Sequence, residues 1–208
     1  MRDPKAVVFD VGNILIRWEP EVVLEPYFES ASAFERFLET TRIYWFNLEF
    51  DAGRPFTDGL GELIARHPEF AAPLRAFNER WLEMVTGAIE PNVATLRALK
   101  AAGHPVHAIT NFAREKFDIA RANHPFLNEF DHALVSGDVG LVKPDYRIYH
   151  RFCRDAGLAP DEIIFVDDSP VNIAAASAVG YHTFHMPRAD AAECAAFRER
   201  LQELGFRI

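Results

Sequence analysis

The chain has 208 residues, 49% apolar and 25% charged, an ordinary soluble globular composition that allows one substantial core with a smaller insertion. Its 22 basic against 31 acidic residues give a formal charge of −9 with no basic run or stripe, which argues against nucleic acid or an anionic membrane surface as partner. No stretch approaches the roughly 18 apolar residues of a membrane span, the amino terminus is too short in apolar residues and too charged for a signal peptide, and Cys153 and Cys194 lack CxxC or metal-ligand spacing. The expectation is a cytoplasmic protein with packed, reduced thiols.

Ala6 to Phe9 is a short apolar run closed by Asp10 and Gly12, which predicts a buried strand ending in a turn, with Asp10 at its carboxyl end. Ile14 to Trp18 leaves that edge as a strand or turn. From Glu21 to about Ile89 the pattern predicts helices only. Ser32 and Glu35 fit a capping box ahead of Phe34, Phe37 and Leu38. Phe56, Leu60, Leu63 and Ile64 make a second apolar face stopped by His67 and Pro68, and Phe70, Leu74, Phe77, Trp81, Met84 and Val85 make a third. These stripes read as seams between helices. Arg42, Tyr44, Trp45 and Asn47, with Glu49 and Asp51 after them, fall where helical periodicity is weakest, and Arg42, Trp45 and Asn47 are candidates for a substrate-contacting lip.

From Pro91 helix and strand alternate. A helix through Val93, Leu96 and Leu99 ends at Gly103, and Val106 to Ile109 is a strand ending at Thr110 and Asn111. Ala113 to Ala122 reads as helix, Ala133 to Val135 as strand before a Ser136–Gly137–Asp138 turn, and Asp145 to Ala156 as helix stopped by Gly157. Ile163 to Val166 is the next buried strand, ending in Asp167 and Asp168. A helix over Val171 to Val179, a strand over His182 to His185 and a helix over Ala191 to Leu204 complete the chain. His104, His107, His132, His182 and His185 lack ligand spacing and read as satisfied structural residues. Repeated strand–helix units argue an α/β fold, a doubly wound parallel sheet covered on both faces. The helical block 17–89 then reads as a cap inserted into a core of 1–16 and 90–208.

Parallel strands point their carboxyl ends the same way, so Asp10, Thr110 with Asn111, Asp167 with Asp168, and Lys143 from a fourth loop can converge in one crevice. Such a set suits phosphoryl transfer through a covalent carboxylate intermediate. A carboxylate attacking a phosphate monoester must overcome the repulsion of two anions, which a divalent cation removes. Asp10 and Asp168 offer the hard oxygens that Mg²⁺ prefers. Lys143 would neutralise charge on the phosphoryl group and on Asp10, while the Thr110 hydroxyl and the Asn111 backbone N–H, at a helix start, would hold phosphate oxygens.

The four ordered motifs VVFDVGN, AITN, VKPD and IIFVDDSPVN resemble those of the haloacid dehalogenase-like (HAD) hydrolase superfamily, in particular its members with a helical cap after the first strand. The resemblance covers essentially the whole chain. It implies Asp10 as nucleophile, Thr110 and Asn111 as phosphate contacts, Lys143 as the motif lysine, Asp168 as a Mg²⁺ ligand with Asp167 behind it or as an alternative ligand, and the Gly12 carbonyl as a further ligand. It also implies a small-molecule phosphate ester as substrate, for which a sugar phosphate is one candidate, and a monomer or homodimer.

One departure matters. Most phosphatases of the superfamily carry a second aspartate two residues after the nucleophile, which protonates the leaving group and later activates water; here that residue is Gly12. The GN pair resembles that of a subgroup of sugar-phosphate phosphatases, so activity need not be lost: the expectation is a leaving group that departs without much help, such as an anomeric sugar oxygen, or else a cap residue or water in the aspartate's role. The superfamily's dehalogenases also lack that aspartate, but they need no metal and place small polar residues where this chain has Asp167 and Asp168, which favours a metal-dependent phosphatase. The remaining alternative is a catalytically weak member that binds metal and phosphate.

Overall fold

The computed structural model describes residues 3–208; Met1 and Arg2, at the start of the expected core segment, lie outside the described residues. Among the described residues seven strands form, β1 (Ala6–Phe9), β2 (Ile16–Trp18), β3 (Val85–Ala88), β4 (Val106–Thr110), β5 (His132–Val135), β6 (Ile163–Asp167) and β7 (His182–His185). Five of them make one parallel sheet in the order β5-β4-β1-β6-β7. The chain runs outward from β1 through β4 to β5, then crosses to β6 on the other side of β1. Strand order therefore reverses between β1 and β6, and in open α/β sheets the crevice outside that point is where ligands sit.

The two-residue period of a strand sorts the side chains of the sheet. Val7 and Phe9 of β1, Val106 and Ala108 of β4, and Ile164 and Val166 of β6 enter one apolar cluster, while Val8, Ile109, Ile163 and Phe165 enter a second. The first packs against α6 (Glu90–Ala101), α7 (Arg114–Asn123) and α11 (Ala191–Glu203), the second against α9 (Tyr146–Ala156) and α10 (Pro170–Val179). Helices thus cover both faces, as the unbroken apolar runs of β1 and β6 require.

Between β2 and β3 the chain builds α1 (Glu21–Leu24), α2 (Ala31–Thr41), α3 (Ile43–Asp51), α4 (Phe56–Arg66) and α5 (Ala71–Glu79). Aromatic rings hold them together. Phe28, Phe37 and Phe70 meet at centroid distances of 5.0 to 6.3 Å, and Phe50 stacks on Phe56 at 4.2 Å.

Four sequence expectations change here. The segment up to Ile89 is not helical throughout, because Val85–Ala88 pairs antiparallel with β2 and makes a two-stranded ribbon where the helices begin and end. The N-cap of α2 is Ser30, whose hydroxyl accepts the Ala33 N–H at 3.2 Å, so Ser32 lies inside the helix. Residues 43–51 form a regular helix, separated from α2 by the left-handed residue Arg42 (φ 49°). Its weak amphipathicity comes from exposed Tyr44, Trp45 and Leu48, not from irregular backbone. Ser136–Val139, expected as a turn, closes into one helical turn, α8.

Gly59 on α4 marks the tightest approach in this segment. A Cβ there would sit 2.3 Å from Cε1 of Phe50, a ring fully buried against Phe56. Gly59→Ala is expected to lower the urea unfolding midpoint by the equivalent of about 1–3 kcal/mol despite alanine's better helix propensity. An unchanged or raised midpoint would mean that the Phe50 ring repacks freely.

Candidate active site

Asp10 sits at the carboxyl end of β1, with its N–H bonded to the Val166 carbonyl at 2.9 Å and its own carboxylate accepting the Val11 N–H at 2.7 Å. The Lys143 ammonium lies 2.8 Å from Asp10 Oδ1 and 2.6 Å from Asp167 Oδ2, and only 2% of the lysine is exposed. Asn111 fixes the lysine's backbone from both sides, donating from Nδ2 to the Lys143 carbonyl at 2.9 Å and accepting the Lys143 N–H at 2.7 Å. Asp168 turns toward the crevice, where its Oδ2 accepts from Asn13 Nδ2 at 3.2 Å. Asn13 adopts φ 55°, a left-handed conformation that asparagine tolerates better than most residues, and this aims its amide at Asp168.

The electrostatics follow from burial. Loss of water, reinforced by Asp167 and Asp168, pushes the Asp10 carboxyl up to about 7 against the pull of Lys143. Burial and Asp167 likewise raise Asp168. For Lys143 burial acts downward, but its two carboxylates outweigh it and hold the ammonium above its ordinary range.

Carboxylate oxygens of Asp10, Asp167 and Asp168 lie within 4.8 Å of one another. Three carboxylates against one ammonium leave two negative charges uncompensated, and every donor is a hard oxygen, so this set fits a divalent cation such as Mg²⁺. The three are not equivalent. Asp167 is fully buried, and both its oxygens are taken up by Lys143, Asn172 Nδ2 at 3.0 and 3.2 Å, and the Ser169 N–H at 2.8 Å. Asp10 and Asp168 line the open crevice together with Gly12.

That crevice is a cavity of about 170 Å³. Its floor is Asp10, Gly12, Asn13 and Asp168, and Asn111, Phe112 and Lys116 supply one wall. Asn47, Asp51, Phe56 and Trp81 close it from the helical segment, with Ile16 and Trp18 of the ribbon. Lys116 is itself buried, bonded to Asn78 Oδ1 at 2.5 Å, with its ammonium 4.6 Å from the Phe56 ring centroid. Burial pushes its pKa down.

Sequence reasoning brings some residues here and misplaces others. Asp10, Gly12, Asn111, Lys143, Asp167 and Asp168 converge as expected from the parallel strand ends. Thr110 ends β4, 1% exposed, and is not part of the cavity lining. Asn111 is not at a helix start. The Ser136 hydroxyl takes the Phe112 N–H at 2.8 Å, Ala113 stays extended, and α7 begins only at Arg114. Of the three expected lip residues only Asn47 lines the cavity. Arg42 is exposed at the link between α2 and α3, and Trp45 is 64% exposed on the outer face of α3. The histidines are not all satisfied, since His107 Nδ1 and His132 Nε2 are buried without partners against Phe152. Lys116, Trp81 and Phe112 were not anticipated as lining. Asp51 was not anticipated as lining either; the available signal is that Ile43, Asn47, Phe50 and Asp51 fall on one face of a helix over 43–51, where an inward acid is costly to bury.

A family profile described as haloacid dehalogenase-like hydrolase matches residues 4–180. The chain belongs to this family. The chain is 30% identical to the sesquiterpene phosphatase astK of Aspergillus oryzae over 190 residues, 88% of this chain and 89% of that one. It is 31% identical to (S)-2-haloacid dehalogenase 4A of Burkholderia cepacia over 94 residues, covering 45% of this chain and 41% of that one. A HAD family enzyme from Bacteroides thetaiotaomicron, crystallised as a magnesium complex, superposes with a TM-score of 0.73 at 19% identity over 95% of this chain and all of that one, a likeness that shows the fold. The protein is thus a HAD-family hydrolase. No helix among the described residues is long and apolar enough to cross a membrane.

Asp51 generates a stability prediction. Its carboxyl is 7% exposed, and burial pushes it up to about 7 against the Ala113 N–H, Lys143 and Asn47, all of which pull it down. The folded-state pKa lies above the unfolded one, so the stability this group contributes is full below about pH 4 and is lost as pH rises through 7. Asp51→Asn is therefore expected to raise the melting temperature at pH 8, by the equivalent of about 2–4 kcal/mol, with the gain fading below pH 5. A gain of the same size at both pH values would contradict this.

Proposed function

We propose that this protein is a Mg²⁺-dependent phosphatase that hydrolyses a small phosphorylated metabolite through a phosphoryl intermediate on Asp10. The observation that supports this is the pairing of the Asp10 carboxylate, on the floor of the crevice, with the buried Lys143 ammonium, beside a second carboxylate, Asp168, for which no ion pair forms among the described residues. Asp10, Asp168 and the Gly12 carbonyl would hold the metal, with Asp167 behind them fixing the lysine. Bound there, Mg²⁺ would supply the positive charge that lets an anionic phosphate approach a carboxylate. Asp10 is the nucleophile: its carboxylate oxygen forms a bond to phosphorus as the ester P–O bond breaks, and water then attacks the acyl phosphate and frees Asp10. Lys143 steadies the charge on Asp10 and on the phosphoryl oxygens, while Asn111 holds the lysine and Thr110 backs the phosphate site.

The segment 17–89 acts in this reading as a cap over a core of 1–16 and 90–208, since Asn47, Asp51, Phe56 and Trp81 close the cavity from above. The aromatic walls suit the apolar face of a sugar or a hydrocarbon alcohol better than a highly charged leaving group. The likeness to a sesquiterpene phosphatase supports including hydrocarbon-alcohol phosphates beside sugar phosphates in the substrate test. The dehalogenase relatives raise a second reading, but three carboxylates around one lysine would repel a haloacid carboxylate.

Phosphate release from p-nitrophenyl phosphate, sugar phosphates and isoprenoid monophosphates, with Mg²⁺ or EDTA, tests the proposal. Turnover is expected to need the metal and to fall by roughly 10³-fold or more in Asp10→Asn. Halide release from 2-haloacids that survives EDTA would replace it with the dehalogenase reading. Silence on every substrate, with metal and phosphate still bound, would leave a binding protein.

A further inference from the structure

Within the phosphatase reading, we propose that Asp51 is the proton carrier of the reaction, standing in from the helical segment for an acid that the nucleophile loop lacks. When Asp10 takes the phosphoryl group, the carboxyl of Asp51 gives its proton to the departing ester oxygen as the P–O bond breaks. When water attacks the acyl phosphate, the Asp51 carboxylate takes a proton from that water, the Asp10–phosphorus bond breaks, and both carboxylates return to their starting states.

Three observations carry this. Gly12, two residues beyond the nucleophile, has no side chain, and a Cβ built on it meets nothing within 4 Å, so the cavity is open on that side and no loop group fills it. Among the residues lining the cavity, the acids are Asp10, Asp168 and Asp51. Asp10 and Asp168 belong to the three-carboxylate cluster that would hold the metal, which leaves Asp51, at the end of α3, as the lining carboxyl outside that cluster. It is also held in place. Asn47 Nδ2 donates to its Oδ2 at 3.0 Å, the Ala113 N–H donates to the carboxylate, and the Ser136 hydroxyl, which accepts from Phe112, donates to the Asp51 carbonyl at 2.6 Å. The end of α3 is thereby fastened to the core at the loop that carries Asn111. Asp51 is thus positioned relative to Asp10 by the core as well as by its own helix.

The environment suits the task. A general acid–base group works best with a pKa near the working pH, and burial places this carboxyl about there. The other charged groups that face or act on it are Lys143, Lys116, Asp10 and Asp168. None of these four is free to move a proton, because Lys143 and Asp10 hold each other, Lys116 is bound to Asn78, and Asp168 faces the metal position. Asp167 differs from Asp51 in being locked in an ion pair with Lys143.

The test uses Asp51→Asn and reads leaving-group dependence. For an alkyl phosphate, whose alkoxide leaves poorly, kcat is expected to fall by about 10²-fold or more while KM stays within about threefold. For p-nitrophenyl phosphate, whose leaving group needs no proton, phosphorylation should survive and hydrolysis should slow, giving a burst of about one equivalent of nitrophenolate per site. Gly12→Asp added to Asp51→Asn should restore part of the lost turnover, since the space at Gly12 is open. A wild-type rate on both esters would overturn the assignment, as would an equal loss on both with raised KM and no burst, which is what a merely structural residue would give. If the wild type releases phosphate from no ester, the phosphatase reading falls and this assignment with it; if its turnover is intact and Asp51→Asn leaves it so, only this assignment falls.

Discussion

The ammonium of Lys143, held 2.8 Å from Asp10 and 2.6 Å from Asp167 where almost no water reaches, is the contact on which the rest of the site depends. A buried lysine costs several kcal/mol unless paired, and each buried carboxylate costs as much again. Every nearby feature serves this pairing. Asn111 clamps the lysine backbone, Asn172 and the Ser169 N–H saturate Asp167, and β6 pairs with β1 in a register that brings Asp167 level with Asp10. The pairing still leaves negative charge over, and that surplus makes the crevice suited to a divalent cation.

The parallel sheet places this cluster where it can meet a ligand. Strand order reverses between β1 and β6, so the chain leaves the two strand ends in opposite directions and a crevice opens above them. The helical segment between β2 and β3 then roofs that crevice with Trp81, Phe56 and Asp51. Its aromatic packing holds the roof together, and its ties to the core, Ser136 to the Asp51 carbonyl and Lys116 to Asn78, lie on the side of the loop that carries Asn111. In the proposed function, a segment that supplies both apolar walls and a buried acid would set which substrates fit.

Much of this was legible in the chain because its signals are local. The apolar runs ending in Asp10 and in Asp167–Asp168 can only be buried strands with acids at their ends, and parallel strands bring those ends together. What was not legible depends on tertiary contact. Val85 to Ala88 carries no alternation long enough to mark a strand and becomes one only because β2 offers an edge. Trp45 reads as a lip candidate and Trp81 as part of a helix seam, yet Trp81 lines the cavity and Trp45 is exposed on α3, an outcome set by which face each segment presents once packed. Asn111 sits one residue past a strand, and its amide's partner, Lys143, is 32 positions away in sequence. Lys116 is one of several charged residues on α7, and its burial depends on Asn78 from the helical segment.

The central claim is that Asp10 accepts a phosphoryl group at a site completed by a metal held by its own carboxylate and Asp168. Beryllium trifluoride, which adds to a carboxylate as a phosphoryl mimic, tests this without turnover. A crystal structure of the protein grown with Mg²⁺ and beryllium fluoride is expected to show the trifluoride on Asp10, facing Lys143, and the metal between Asp10, Asp168 and the Gly12 carbonyl. A trifluoride bound away from Asp10, or bound there equally well in EDTA, would contradict the account.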